Sequence, residues 1–297
     1  MEATETIGSK VIMITGCNKG IGLGILQNLA ERTDNHSFIM TVRSIDNGKK
    51  VVEELEKKIA KVSERVVIQE LDISKTESID AFVKWVKESG KKIDCLINNA
   101  GVFIRGDTLN EEVVRVTFQT NFYGTVDITE KLLPYISDSG KIIFVGSMLG
   151  CLGRLTSEEL KKTFNDPDIT REKVFELAKK FREDVVDGSH KEKGWIDQGY
   201  RMASLCQNIY VRVLGKEKEV VKRGIQVYSC SPGWVRTEMG TEKGPRSIEE
   251  GVVCPCNAVY FPWKIDPKYQ GQLLFNCKVV NLNKDYEHDV TPPDSPR

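Results

Sequence analysis

The chain has 297 residues, with 43 Lys and Arg against 43 Asp and Glu, so its formal net charge is zero. It is 40% hydrophobic and 29% charged, which suits a globular chain that buries about three quarters of its unfolded surface. The even charge balance argues against a polyanion-binding role, which needs a basic excess or a basic face, and no nucleic-acid partner is expected.

Met1–Lys10 is polar and carries Glu2 and Glu5, unlike a signal peptide. No apolar run nears the ~18 residues of a membrane span. The eight cysteines (17, 95, 151, 206, 230, 254, 256 and 277) are widely spread, which predicts a reduced, cytoplasmic protein rather than a disulfide framework. Cys254-Pro-Cys256 is the only tight pair, and with three histidines elsewhere no metal site is expected.

The first third alternates strand and helix signals. Apolar runs at Lys10–Thr15, Phe38–Val42, Val66–Leu71 and Ile93–Ile97 predict strands. Between them, Ile21, Ile25, Leu26 and Leu29 recur at helical spacing, a charged helix is predicted from about Asp46 to Ala60, and Ile79, Phe82, Val83 and Val86 form one stripe. Ser74 with Glu77 has capping-box spacing, and Gly90 suits a left-handed cap.

A long amphipathic helix is predicted over Glu111–Ile136. Further strands follow at Lys141–Val145, Ile225–Ser229 and Gln272–Phe275. About seven strands with intervening helices imply right-handed crossovers, an α/β fold with a doubly wound parallel sheet of Rossmann type. Residues 1–284 read as one domain, and the polar, Pro-containing stretch 285–297 reads as a disordered tail. About 152–196 interrupts the alternation with two helical patterns and no strand. Thr156 with Glu159 and then Thr170 are the predicted caps, and Val174, Leu177, Ala178, Phe181 and Val185 form a stripe ending at Gly188. That segment reads as a helical insert or lid.

Thr15-Gly16-Cys17-Asn18-Lys19-Gly20-Ile21-Gly22 lies between the first strand and helix. Glycines there allow a tight turn and close approach of a pyrophosphate, whose charge sits on the helix N-terminus. About 20 residues further on, where an acid would hold a ribose hydroxyl, the chain has Thr41-Val42-Arg43-Ser44. Arg43, with Lys19 as a second cation, suits a 2′-phosphate, so NADP(H) is favoured over NAD(H).

Asn98-Asn99-Ala100-Gly101, Asn121, Ser147, Tyr200 and Ser231-Pro-Gly-Trp-Val-Arg-Thr237 follow in order. With the glycine turn they resemble the short-chain dehydrogenase/reductase family across nearly the whole chain. Asn18–Leu23, Asn121-Phe-Tyr-Gly124, Gly194-Trp195 and the long insert between Ser147 and Tyr200 look like its NADPH-dependent carbonyl reductases. The resemblance implies hydride transfer from a nicotinamide to the carbonyl of a small, aromatic or quinone-like substrate. Ser147 is implied to hydrogen-bond the carbonyl oxygen, Tyr200 to donate the proton, and Asn121 to hold a water in a proton relay. Cofactor contacts are implied at Gly16, Asn18, Lys19, Gly20, Ile21, Gly22, Arg43, Asp72, Ile73, Asn98, Ala100, Gly101, Tyr200, Pro232, Gly233, Val235 and Thr237. Trp234 and Met239 are the implied apolar walls, with pocket shape depending on loops around Phe103, Trp195 and Trp234. In that subfamily the insert is implied to cover the face used for tetramers, so a monomer is expected.

One position departs from the family. The pattern Tyr-x-x-x-Lys is here Tyr200-Arg-Met-Ala-Ser204, and Ser204 supplies a hydrogen bond but no charge. A cation ~5 Å from a phenol, at an effective dielectric of ~20, is worth roughly 3 kcal/mol, about two pKa units. Arg201 lies ~100° around the helix and points elsewhere. Tyr260-Phe-Pro-Trp-Lys264 matches the pattern only literally. Three readings stay open: a reductase with weakened catalysis, an NADPH-binding pseudoenzyme, or an interaction protein without cofactor. The intact glycine turn and Arg43 speak against the third.

Overall fold

The computed structural model describes residues 9–105 and 109–286. The short apolar runs form β1 (Val11–Ile14), β2 (Ser37–Val42), β3 (Val66–Glu70) and β4 (Ile93–Asn98). Between them lie α1 (Gly20–Arg32), α2 (Ile45–Glu56) and α3 (Thr76–Ser89). Then come α4 (Glu111–Phe118), a π-helical segment (Gln119–Gly124), α5 (Thr125–Leu132) and β5 (Ile136–Val145). The insert supplies α6 (Glu158–Asn165) and α7 (Arg171–Val186). The chain closes with α8 (Gly199–Leu214), α9 (Lys218–Lys222), β6 (Gln226–Ser231), α10 (Ile248–Val259), β7 (Gln272–Phe275) and β8 (Lys278–Val279).

All eight strands form one sheet in the order β3-β2-β1-β4-β5-β6-β7-β8. The first seven pair in parallel, and β8 turns back antiparallel on β7. Helices cover both faces in two large apolar clusters, one under α3, α4 and α8 and one under α1 and α10. This is the doubly wound fold expected, with one more strand. The two residues of β8 are exposed, and a pair that short carries no apolar period to read.

The predicted helix over 111–136 is not continuous. A π turn takes up extra residue length while keeping apolar side chains inward, so the helical period runs through the break unmarked. Ile136 already belongs to β5, and the polar Ser137-Asp138-Ser139 hides that strand's first half. Ser74 does not cap α3: its backbone N–H (3.0 Å) and hydroxyl (2.6 Å) both donate to Asp72 Oδ1. In the insert the cap is Ser157, accepting from the Leu160 N–H at 3.2 Å, one residue after the predicted Thr156. Thr170 and Gly90 act as predicted.

α7 lays its apolar stripe against α4 and α8. Trp195 is part of the insert's core, packed on Phe164 and Phe181, with its indole donating to Asp184 at 2.8 Å. Burial raises the Asp184 carboxyl, but Lys180, Lys193 and Trp195 outweigh it and hold the group below its ordinary range. Asp285 and Tyr286, expected in the tail, are tied back: Arg154 pairs with Asp285 at 2.6 Å and the Tyr286 hydroxyl donates to the Asn281 carbonyl at 3.3 Å. The rest of that tail, 287–297, lies outside the described residues. Among the described residues no helix is long and apolar enough to cross a membrane, and the eight cysteines are free thiols.

Candidate active site

The strand order reverses between β1 and β4, and a parallel sheet opens a ligand crevice at such a point, beyond the C-terminal ends of its strands. The glycine turn leaves β1 there and Asn98–Gly101 leaves β4. Thr15 Oγ1 accepts from the Asn99 and Ala100 N–H groups, both at 2.9 Å. The Asn99 amide donates to the carbonyls of Thr15 (2.8 Å) and Gly16 (3.1 Å). Thr15 and Asn99 therefore lock the two turns together, a role the sequence reading passed over. A hydroxyl and an amide side by side at two strand ends were the available signal.

The turn is a cradle with no room for side chains. Gly16 and Gly20 have φ of 63° and 57°, a region L side chains rarely adopt. A Cβ on Gly22 would stand 2.6 Å from the Gly16 carbonyl oxygen and 2.9 Å from Cys17 Cα. Asn18 and Lys19 bend the chain into α1, and Ile21, its second residue, packs beside the apolar cluster. Backbone N–H groups at this helix start fit a pyrophosphate.

Around the rim, Arg43 is exposed just past β2. Asp72 follows β3. Burial raises its carboxyl, but Ser74, Lys75 and Arg43 outweigh that and lower it. Ile73 turns its side chain into the core, so only its backbone can face the crevice. Asn98 is likewise inward, donating to Thr129 Oγ1 at 2.9 Å. The Lys19 ammonium pairs with Glu238, and Arg105 donates to the carbonyls of Glu238 and Met239.

The segment after β6 folds back over the glycine turn. Gly233 has φ of 77°, with Arg246 and Phe275 side chains 2.7 Å and 3.1 Å from where a Cβ would stand, so Pro232-Gly233 turns against them. Val235 is buried and bridges to Arg246. Thr237 Cγ2 lies 3.6 Å from the Cβ position of Gly20. Trp234 and Met239 are 36% and 41% exposed, as open apolar walls require.

The π segment carries Asn121, whose amide is spent on the Val102 backbone. Its Oδ1 accepts from the N–H and its Nδ2 donates to the carbonyl, both at 2.8 Å. Ser147 follows β5 and its Oγ accepts from the Leu149 N–H at 3.1 Å. Tyr200 opens α8, partly exposed, edge-on to Phe103 at 5.2 Å between centroids. Ser204, one turn on, is 5% exposed. The Ser147 turn docks directly on it: a Cβ on Gly150 would meet the Leu205 nitrogen at 2.5 Å and Ser204 Cβ at 2.7 Å. Arg201 points away, donating to Gln198 Oε1 at 2.7 Å. Tyr260 of the decoy stacks on His36, which precedes β2 and so lies at the opposite end of the sheet from the crevice.

Residues 10–157 match the family model for short chain dehydrogenase. Carbonyl reductase (NADPH) 1 of Bos taurus is 32% identical over 275 residues, spanning 91% of this chain and 97% of that protein. The chain belongs to the short-chain dehydrogenase family. Carbonyl reductase (NADPH) 3 of Rattus norvegicus is 30% identical over 86% of this chain and 92% of its own. Among solved structures, salutaridine reductase from Papaver somniferum superposes with a TM-score of 0.77 at 25% identity, covering 91% of this chain and all (100%) of that one. The glycine turn and Ser147 follow the C-terminal ends of β1 and β5, and Tyr200 and the neutral Ser204 lie one turn apart on α8.

Proposed function

We propose that the protein is an NADPH-dependent reductase acting on the carbonyl of small aromatic or quinone-like compounds, with catalysis weakened by Ser204. The observation that carries this reading is the docking of the Ser147 turn on the helix of Tyr200, beside a glycine cradle that fits a dinucleotide. The cradle from Gly16 to Gly22 would hold the pyrophosphate, Arg43 the 2′-phosphate, and Pro232, Gly233, Val235 and Thr237 the nicotinamide end, whose chemistry when bound is to supply a hydride. Ser147 orients the carbonyl oxygen by a hydrogen bond. Tyr200 donates its phenolic proton to that oxygen as charge develops there, the general-acid role worth ~10² to 10⁴-fold. Trp234 and Met239 exclude water from one side. Ser204 puts a neutral hydroxyl where the family resemblance implies an ammonium, which is the basis for expecting weakened catalysis.

Ser204 also favours a second reading, an NADPH-binding pseudoenzyme with a sensing or partner-binding role. The placement of α7 over α4 and α8 supports a monomer, and the free thiols support a cytoplasmic setting. NADPH titration is expected to quench tryptophan fluorescence with micromolar affinity, and the complex to oxidise NADPH slowly with an aromatic ketone or quinone. Binding without turnover selects the pseudoenzyme; no binding at any concentration removes both readings.

A further inference from the structure

We infer that Asn208 is the positioning residue that fixes the Ser147 turn against the helix of Tyr200, an inference that rests on the reductase reading. Tyr200, Ser204 and Asn208 stand four residues apart, one stripe of α8. At ~1.5 Å per residue, Asn208 lies about 12 Å along the axis from Tyr200, so it acts through another group rather than on substrate.

Asn208 is 2% exposed. Its Nδ2 donates to the Ser147 carbonyl at 3.0 Å and the Gly150 carbonyl at 2.9 Å, the two ends of one turn. Its Oδ1 accepts from Ser229 Oγ of β6 at 3.1 Å. Within the turn, the Gly150 N–H donates to the Ser147 carbonyl at 3.2 Å and Leu149 N–H to Ser147 Oγ. Those bonds set the direction of Oγ inside the turn. They do not set the turn's height along α8, which Asn208 does from the helix itself.

The chemistry needed is specific. Only a side chain with two N–H donors and one acceptor satisfies two carbonyls and a hydroxyl together. In a buried setting a lost donor is costly: without Asn208 the Ser147 carbonyl keeps the Gly150 N–H but the Gly150 carbonyl loses its side-chain donor, so the turn shifts to find one. A shift near 1 Å at a reacting group can cost on the order of 10²-fold in rate.

The test uses the full chain as Asn208→Leu, Asn208→Asp and Ser229→Ala. Asp matches Asn in size but its carboxylate cannot donate; Ser229→Ala removes only the Oδ1 contact. For Asn208→Leu and Asn208→Asp, kcat for a quinone is expected to fall ~10 to 100-fold, with NADPH Kd from fluorescence within about twofold. Ser229→Ala should keep kcat within about twofold, since both carbonyl bonds remain. In native-state hydrogen exchange, Leu149 and Gly150 amides should open at least about tenfold faster in both Asn208 variants and not in Ser229→Ala. Equal kcat losses in all three variants, or parallel weakening of NADPH, would overturn the inference. If the wild type shows no turnover, the reductase reading fails on its own, and the exchange rates still decide: unchanged Leu149 and Gly150 protection in Asn208→Leu overturns the role.

Discussion

The two sides of the crevice are built differently. The cofactor side, where β1 and β4 end, is rigid by necessity: Thr15, Asn99 and the Gly16 carbonyl are cross-bonded, and Gly22 admits no side chain. The reacting side, where the Ser147 turn meets α8, is held by the neutral Asn208 amide and packs on the neutral Ser204. A sequence can keep a binding cradle through steric constraints that any loss would reveal, while a single charge at a helix position is exchanged with no change of packing. Binding and catalysis are therefore separable in this chain, and mutations on the two sides should produce separable effects.

The largest expected effect lies on the cofactor side. Gly22→Val places two γ carbons beyond a Cβ already 2.6 Å from a backbone oxygen, and backbone cannot yield cheaply. NADPH binding by fluorescence quenching is expected to weaken by at least ~10²-fold, about 2.7 kcal/mol, while the folded transition remains. Unchanged affinity would mean that the dinucleotide does not lie in this cradle.

On the reacting side the change runs the other way. Ser204→Lys restores an ammonium one turn beyond Tyr200, on the face that the Gly150 turn covers. Turnover of a quinone or aromatic ketone is expected to rise at least ~10-fold, with NADPH affinity changing far less. Equal turnover would show that position 204 does not stand in the lysine's place or that chemistry is not limiting.

How much of this was legible in sequence follows the same division. β1, β4 and β7 are buried along most of their length, so they stand out as plain apolar runs, and β7 was read to the residue. The glycine turn announces itself because backbone geometry demands glycine there, whereas Ser231–Thr237 was read through the family resemblance. What stayed hidden depends on side chains meeting across long separations. Asn208 lies 61 residues from Ser147 in the chain and looks like an ordinary polar helix residue. The π segment keeps a helical period, Trp195 packs into the insert's core on Phe164 and Phe181, and Lys19 found Glu238 219 residues away.

That last pair makes the smallest effect and the finest probe of the cofactor side. Lys19 was expected to help Arg43 hold a phosphate, yet its ammonium rests on Glu238. That contact lowers the Glu238 carboxyl, so the pair is present at neutral pH. Both side chains are more than half exposed, at 56% and 77%, where ion pairs are weak and salt-screened. If Lys19 exchanges Glu238 for a phosphate when NADPH binds, Glu238→Gln removes the competitor. NADPH affinity should then tighten by about two- to fivefold at low ionic strength, and the gain should fade as salt is raised over ~0.5 M. Weaker binding instead would mean that Glu238 holds the segment closed over the cofactor more than it competes for Lys19. The response of NADH separates the two cases further, because a dinucleotide without the 2′-phosphate offers Lys19 less in exchange and should gain less from the substitution.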